Sequence, residues 1–232
     1  MNCSYCATSL LNPGFRQRTP ENVLDEIDWC YHELGTRNFA FYDDALLVNA
    51  EKHLNPILDG IIARKLDCYF HTPNSMHVNL IKPEIAYKMH EAGFKTIRIS
   101  LETSNIQRQE MTGKRISAAQ FVRAVQYLKD AGFTSNQIGA YILMGLPGQP
   151  LDEVRETIKF VHAQGIQAKI ALFSPIPHTL EWKRAIKEYN FDLSSDPLLH
   201  NNTVIPFQTE SVKYKEFEAV KAMVREGNEK LK

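Results

Sequence analysis

Four times along this 232-residue chain an amphipathic helical pattern ends at a glycine, and a short apolar, β-rich run follows. The glycines are Gly35 after His32-Glu33-Leu34, Gly93 after His90-Glu91-Ala92, Gly132 after Lys129-Asp130-Ala131, and Gly165 after His162-Ala163-Gln164. A glycine just past a helix end takes the left-handed conformation that closes the helix. The repeat predicts strands at 38–42, 67–71, 96–101, 138–144 and 169–173. Each is short and mostly apolar, as parallel strands buried on both faces are. Between them lie helical stripes. Thr19-Pro20 reads as an N-cap with proline at the first helical position, ahead of Val23, Ile27, Cys30/Tyr31 and Leu34. Leu54, Ile57, Leu58 and Ile61 form a second stripe. Phe121, Val122, Val125 and Leu128, after Ser117, form a third, and Val154, Ile158 and Val161 a fourth.

Alternating βα units imply a parallel sheet, either doubly wound or closed toward a barrel. Polar residues decide between them. They gather just after each strand: Asp43-Asp44, Thr72 and Asn74, Glu102-Thr103-Ser104, Gly145 through Gln149, and Ser174 through Thr179. In a barrel all strand C-termini converge on one mouth. A dinucleotide-binding sheet would carry a glycine-rich turn after its first strand, and none precedes residue 145. The expected fold is therefore α/β, a partial parallel (β/α) barrel over residues 1–180. A C-terminal helical extension, 181–232, is expected to pack on the same domain. It comprises an irregular connection at 190–207 and a closing helix at 211–231 with Phe217, Val220 and Val224 inward.

Lys plus Arg and Asp plus Glu both number 27, so the formal charge is zero. That balance argues against a general nucleic-acid binder, which carries a basic excess. No apolar run approaches a membrane span, and residues 1–19 lack a signal-peptide pattern. The expectation is a soluble, cytoplasmic protein. Four cysteines in a chain this long make no disulfide framework; a close pair points to catalysis or metal binding.

That pair is Cys3-Ser4-Tyr5-Cys6. On its own it has three readings: a redox dithiol, half of a zinc site, or part of an iron–sulfur site. A redox pair would follow a strand, and none precedes it; a zinc site needs two more ligands. Cys30 falls in a helical stripe and Cys68 at the start of a strand, where cysteines serve as small core residues.

The aromatic between the two cysteines, followed by Ala7-Thr8, resembles the C-x3-C-x2-C signature of the radical S-adenosylmethionine (SAM) superfamily. Met1-Asn2-Cys3-Ser4-Tyr5-Cys6 is similar to the end of the family string Cys-Pro-x-Asn-Cys-x-Tyr-Cys. The resemblance implies a 4Fe-4S cluster with Cys3 and Cys6 as metal ligands. The first cysteine and the first barrel strand are then expected upstream of Met1. The resemblance continues to about Thr179. Phe39 to Asp44 is similar to the second strand of members with Phe-x-Asp-Asp, which implies that Asp43 or Asp44 holds the SAM amine. Ile97 to Thr103 resembles the fourth strand, with Ser100 and Glu102 on one face and Glu102 on the SAM ribose. Tyr141 to Gln149 resembles the fifth strand and its turn, with Gly145, Pro147 and Gly148 beside the adenine. Ser174 to Thr179 resembles the end of the sixth strand, except that His178 stands where glycine is usual.

The activity so implied is reductive cleavage of SAM to a 5′-deoxyadenosyl radical that abstracts a hydrogen from a small-molecule substrate. An external electron donor such as flavodoxin or ferredoxin is implied as well. The strand ends most resemble members with an upstream cobalamin-binding domain, some of them methyltransferases. Two alternatives stay open from the residues alone. One is a non-radical, metal-dependent barrel enzyme using His71 and Asp43 or Asp44; the other is an inactive fragment lacking a cluster cysteine. A structural role for Glu102, paired with Arg98 or Arg108, is also open.

Overall fold

The computed structural model describes residues 3–12, 14–113, 116–188, 196–197 and 213–231. Their elements run α1 (Thr8–Leu11), α2 (Pro20–Glu33), β1 (Asn38–Ala40), α3 (Leu54–Arg64), β2 (Tyr69–His71), a 3-10 turn (Val78–Leu80) and α4 (Pro83–Glu91). Then come β3 (Phe94–Glu102), α5 (Ile106–Met111), α6 (Ala118–Asp130), β4 (Ile138–Met144), α7 (Leu151–Ala163), β5 (Gln167–Leu172), α8 (Leu180–Glu188) and α9 (Tyr214–Glu229). The expected connection at 190–207 lies outside the described residues, apart from Asp196 and Pro197.

All five expected strands form, in one sheet of order β1-β2-β3-β4-β5. β1 and β2 pair in parallel with Asn38, Phe39 and Ala40 opposite Tyr69, Phe70 and His71. A doubly wound sheet reverses its strand order at a switch point. This order never reverses, so each βα unit adds its strand beside the previous one, as the staves of a barrel do. The four helix-closing glycines all take positive φ: +67° at Gly35, +89° at Gly93, +104° at Gly132 and +64° at Gly165. The Thr19 side chain accepts from Asn22 N–H and caps α2, with Pro20 at its first position.

The chain forms two compact units, and two of the four boundaries between them fall inside β3 and β4. One comprises Arg16–Ser100 and Ala118–Ala140. Its core includes stacked and tilted rings of Phe39, Phe41, Phe70 and Phe94, with centroids 5.4–5.9 Å apart. Burying each such ring stabilises the fold by about 1.5–3 kcal/mol. Leu54, Ile57, Leu58 and Ile61 are buried as expected. Two expected core positions are not. Leu34 is exposed because α2 ends one residue earlier, and Val122 is exposed because the buried stripe of α6 runs through Phe121, Ala124, Val125 and Leu128.

The other unit comprises Met1–Phe15, Leu101–Ser117 and Tyr141–Lys232. Here α9 packs on α7 and β5. Asn228 of α9 holds β5 by both backbone polar groups of one residue: Ala168 N–H donates to its Oδ1 and its Nδ2 donates to Ala168 O, both at 2.9 Å. Phe217 and Val220 are buried and Val224 half-buried.

Candidate active site

The cysteine pair lies on a tight turn closed by a hydrogen bond from Cys6 N–H to Cys3 O, 3.1 Å. Both thiols are free; Cys3 is half-buried and Cys6 exposed. Cys6 Sγ accepts from Thr8 N–H at 3.4 Å and lies 3.1 Å from Thr8 Oγ1.

Tyr5, between the two cysteines, turns inward. It packs with Trp182 and Ala171 against Leu143, Leu146, Phe173 and Ala185, the apolar lining where β4 and β5 end. Burial holds its phenol protonated well above the usual range, and the Glu102 carboxylate and Cys3 push the same way. Tyr5 therefore brings the cysteine turn against the end of β4 and into the field of Glu102.

Glu102 closes β3. It is 9% exposed and adopts φ of +69°, which costs a non-glycine residue of order 1–3 kcal/mol. Such strain persists only where neighbouring structure enforces it, and that enforcement is visible in the next residues. Thr103 Oγ1 donates to Glu153 Oε1 at 2.8 Å and accepts from Asn105 N–H at 3.1 Å. Thr103 O accepts from Gln109 Nε2 at 2.7 Å.

The turn after β4 is held by a second set of side chains. Gln149 Oε1 accepts from the N–H groups of Gly145 (3.0 Å) and Leu146 (3.2 Å). Gln149 Nε2 donates back to Leu143 O at 3.1 Å. Arg108 of α5 donates to Pro147 O (3.1 Å), Gly148 O (2.7 Å) and Glu153 Oε2 (3.2 Å). Arg108 and Glu153 are both buried. Arg108 is thus committed to Glu153 and the turn. Gly145 and Gly148 take φ of +94° and +63°, and a Cβ on either would meet nothing within 4 Å. The glycines are required by backbone conformation, and the turn leaves open room beside it. Glu188 accepts from Gly148 N–H; burial raises its pKa, while that hydrogen bond and Arg108 oppose the rise.

The remaining sequence candidates lie in the other unit. Asp43 and Asp44 are exposed in the connection after β1. Asp43 lines a cavity of about 390 Å³ with Phe39, Phe41, Ile57, His53 and Arg16. Ser100 is fully buried, and its hydroxyl donates to Met76 O at 3.2 Å. His71 bonds Thr96 Oγ1 (2.9 Å) and Asn38 Oδ1 (3.2 Å). Burial, then Arg98, lowers its pKa. Cys68 is a buried core thiol whose pKa is raised first by burial and then by Asp67.

His178 adopts φ of +71°, so the loop after β5 keeps the left-handed turn that a glycine would make without strain. Sequence reasoning passed over Ser4, Gln149, Glu153 and Glu181, because a buried polar side chain is marked only by partners distant in sequence.

These features meet a matching family. A model of the radical SAM superfamily matches residues 1–161. The chain belongs to this superfamily, and its fold is the parallel α/β fold of those enzymes. An uncharacterized methyltransferase of Pyrococcus horikoshii is 29% identical over 187 residues, 80% of this chain and 39% of that protein. Among solved structures, the radical S-adenosylmethionine methyltransferase TsrM of Kitasatospora setae, with cobalamin and a 4Fe-4S cluster bound, matches with a TM-score of 0.64. Identity to it is 16%, over 80% of this chain and 38% of that one. Methylornithine synthase PylB matches with a TM-score of 0.62 at 13% identity, over 97% of this chain and 58% of that one. No described helix is long and apolar enough to cross a membrane.

The donor chemistry of the cysteine turn fits an iron–sulfur cluster in part. It presents two free thiols, and among the described residues no three His, Cys, Asp or Glu side chains converge as a metal-ligand set. Glu102 is a buried carboxylate at the end of β3, and the turn at Gly145 and Gly148 has open space beside its glycines.

Proposed function

We propose that this chain is the catalytic domain of an enzyme that cleaves SAM reductively at a 4Fe-4S cluster. Cys3 and Cys6 supply two of the cluster's three thiolates, and a cysteine four positions before Cys3 supplies the third. When bound, such a cluster would supply the single electron for reductive cleavage of SAM, the chemistry by which this superfamily abstracts hydrogen from a small-molecule substrate. Glu102 accepts hydrogen bonds from the ribose hydroxyls, a task that suits a carboxylate because it has acceptor capacity for two donors. Gly145, Pro147 and Gly148 form the wall beside the adenine. Asp43 or Asp44 pairs with the SAM ammonium, and Ser100 supports the β3 segment that carries Glu102. Leu143, Leu146 and Phe173 keep water from the reacting centre. The TsrM structure with cobalamin bound and the methyltransferase relative support methyl transfer with cobalamin held by an upstream domain. Flavodoxin or ferredoxin is the class of electron donor.

The observation that carries this reading is Tyr5. Its side chain packs the cysteine turn against the end of β4 and lies in the field of Glu102, which supports assigning the proposed cluster ligands and Glu102 to one site. The first test is to sequence the genomic DNA immediately upstream of the Met1 codon. In-frame Cys-Pro codons directly before it, preceded by codons for an apolar strand, complete the ligand set. The second is anaerobic reconstitution of the encoded product with iron and sulfide, followed by reduction in the presence of SAM. Formation of methionine and 5′-deoxyadenosine is expected. A stop codon upstream, together with no cluster and no SAM cleavage, refutes the proposal.

A further inference from the structure

Ser4 sits between the two cysteines, and each of its polar groups has a partner. Its N–H donates to Thr112 O at 3.0 Å. Its carbonyl accepts from Glu181 N–H at 3.1 Å. Its hydroxyl donates to Glu181 Oε1 at 2.7 Å, across 177 residues of sequence. Glu181 is 2% exposed and Ser4 7%. A carboxylate this deeply buried is costly unless it is paired and hydrogen-bonded. Glu181 meets the condition with the Ser4 hydroxyl and with Arg184, whose guanidinium reaches Oε1 at 2.7 Å and is partly exposed. It also lies in the first turn of α8, where the helix dipole favours negative charge.

We propose that Glu181 is a positioning residue for the cysteine turn. It fixes the direction of the Cys3 and Cys6 thiols by gripping the residue between them at both its hydroxyl and its carbonyl. This rests on the proposed role of those cysteines as cluster ligands. A charge-assisted hydrogen bond is shorter and stronger than a neutral one, and a two-point grip removes the rotation a single bond would leave. The same grip ties the turn to the loop after β5. Thr179 opens α8 by accepting from Trp182 N–H at 3.1 Å while donating to Ile176 O at 2.7 Å, and Trp182 packs in the cluster that includes Tyr5. On the other side, Thr112 belongs to the end of the helix whose Arg108 holds Pro147 and Gly148. Ser4 is therefore fastened both to the segment that follows β5 and to the helix that braces the turn after β4.

The test uses Glu181→Ala, Ser4→Ala and the conservative Glu181→Gln, which keeps an acceptor for the Ser4 hydroxyl. The first readout needs no metal: amide hydrogen exchange of the segment 3–8 in the purified chain. Removing the side-chain half of the grip, with the Glu181 N–H to Ser4 O bond left in place, is expected to speed exchange there about tenfold, as loss of a hydrogen bond to a charged partner would, with no change in α9. The two alanine variants together should change it no more than either alone, and Glu181→Gln should restore most of the protection. The second readout is the electron paramagnetic resonance spectrum of the reconstituted, reduced cluster. Broadened or shifted g-values in Glu181→Ala, returning toward wild type in Glu181→Gln, support the role. Unchanged exchange in segment 3–8, or additive effects of the two alanine substitutions, overturns it. If Glu181→Ala fails to fold, Ser4→Ala carries the same comparison. If the wild-type protein takes up no cluster, the functional reading fails, and the exchange result still decides whether Glu181 holds the turn.

Discussion

Replacing Arg108 with methionine tests the account of the site most directly, because its cost follows from counted contacts. The side chain keeps its approximate length and apolar stem but loses the guanidinium. Glu153 then loses its cation at 3.2 Å, and Pro147 O and Gly148 O lose donors at 3.1 and 2.7 Å. Two donors remain on Glu153 Oε1, from Thr103 at 2.8 Å and Gln149 at 3.3 Å, so the carboxylate stays solvated by the protein but uncompensated in charge. Breaking a buried pair by removing one partner costs about 3–5 kcal/mol. For a domain of this size that corresponds to a fall in Tm of about 6–20 °C. Glu153→Leu in the same background removes the stranded charge, and a hydrophobic replacement of both partners is often near neutral. The double variant should therefore be more stable than Arg108→Met alone, and the two single effects should fail to add by about 2 kcal/mol or more. Urea unfolding of the four proteins measures the cycle. A loss under 1 kcal/mol for Arg108→Met, the value expected of an exposed pair such as Arg155–Asp152, would refute the reasoning. So would a double variant less stable than the sum of the singles. Binding of SAM should separate from stability: the double variant regains stability but not the hold on Gly148, so its affinity for SAM stays reduced.

Three further outcomes follow from single features. His178→Gly should stabilise the protein by about 0.5–1 kcal/mol, because it relieves a left-handed conformation at a modest entropic cost, whereas His178→Val should destabilise it; thermal unfolding decides, and a destabilised glycine variant counts against strain at φ +71°. His71 has a pKa lowered by burial, so the folded state resists protonation more than the unfolded chain does. Its contribution is intact above the unfolded-state histidine pKa of about 6.5 and is lost as pH falls from there through the lower pKa of the folded state; His71→Asn should flatten this part of the stability–pH curve, and an identical curve removes the assignment. β1 lies at one edge of the sheet, and an unpaired edge invites association with other chains; concentration-dependent self-association in sizing experiments should weaken in Ala40→Lys, a charged substitution on an exposed position of that strand.

The sheet was legible in the sequence because its signals are local. Each glycine after a helix marks a stop, and each following apolar run marks a strand, so all five strands appear near their expected places. β4 matches at both ends, since its seven residues are apolar and bounded by turn chemistry. β1 and β2 are shorter than expected: Phe41 N–H still bonds His71 O, but the regular ladder ends at Ala40. Helical faces were legible to within one position, and that single position exposes Leu34 and Val122. Glu102 and the turn at Gly145 to Gly148 became candidates through family resemblance, because a lone glutamate or a Gly-Leu-Pro-Gly string carries little meaning without its place at a strand end.

What stayed hidden is a set of polar side chains that hold those strand ends in position. Ser4 and Glu181 are 177 residues apart, Arg108 and Glu153 are 45, and Thr103 and Glu153 are 50. No periodicity links them, because each pair is created by the topology and not by the local backbone. Their effect is nonetheless concentrated on the segments proposed to form the site: Ser4 beside Cys3, the residue after Glu102, and the carbonyls of Pro147 and Gly148. A loop at the end of a strand has no ladder to fix it, and a site built from several such loops is only as precise as the side chains that brace them. Buried ion pairs and two-point hydrogen bonds serve that purpose at a cost in desolvation that apolar packing would avoid. In this unit that cost falls on Arg108–Glu153 and on Glu181. The stability experiments and the exchange experiments thus examine one physical claim from two sides: these side chains are retained for the geometry they impose on the cysteine turn and the turn after β4, more than for the net stability they add.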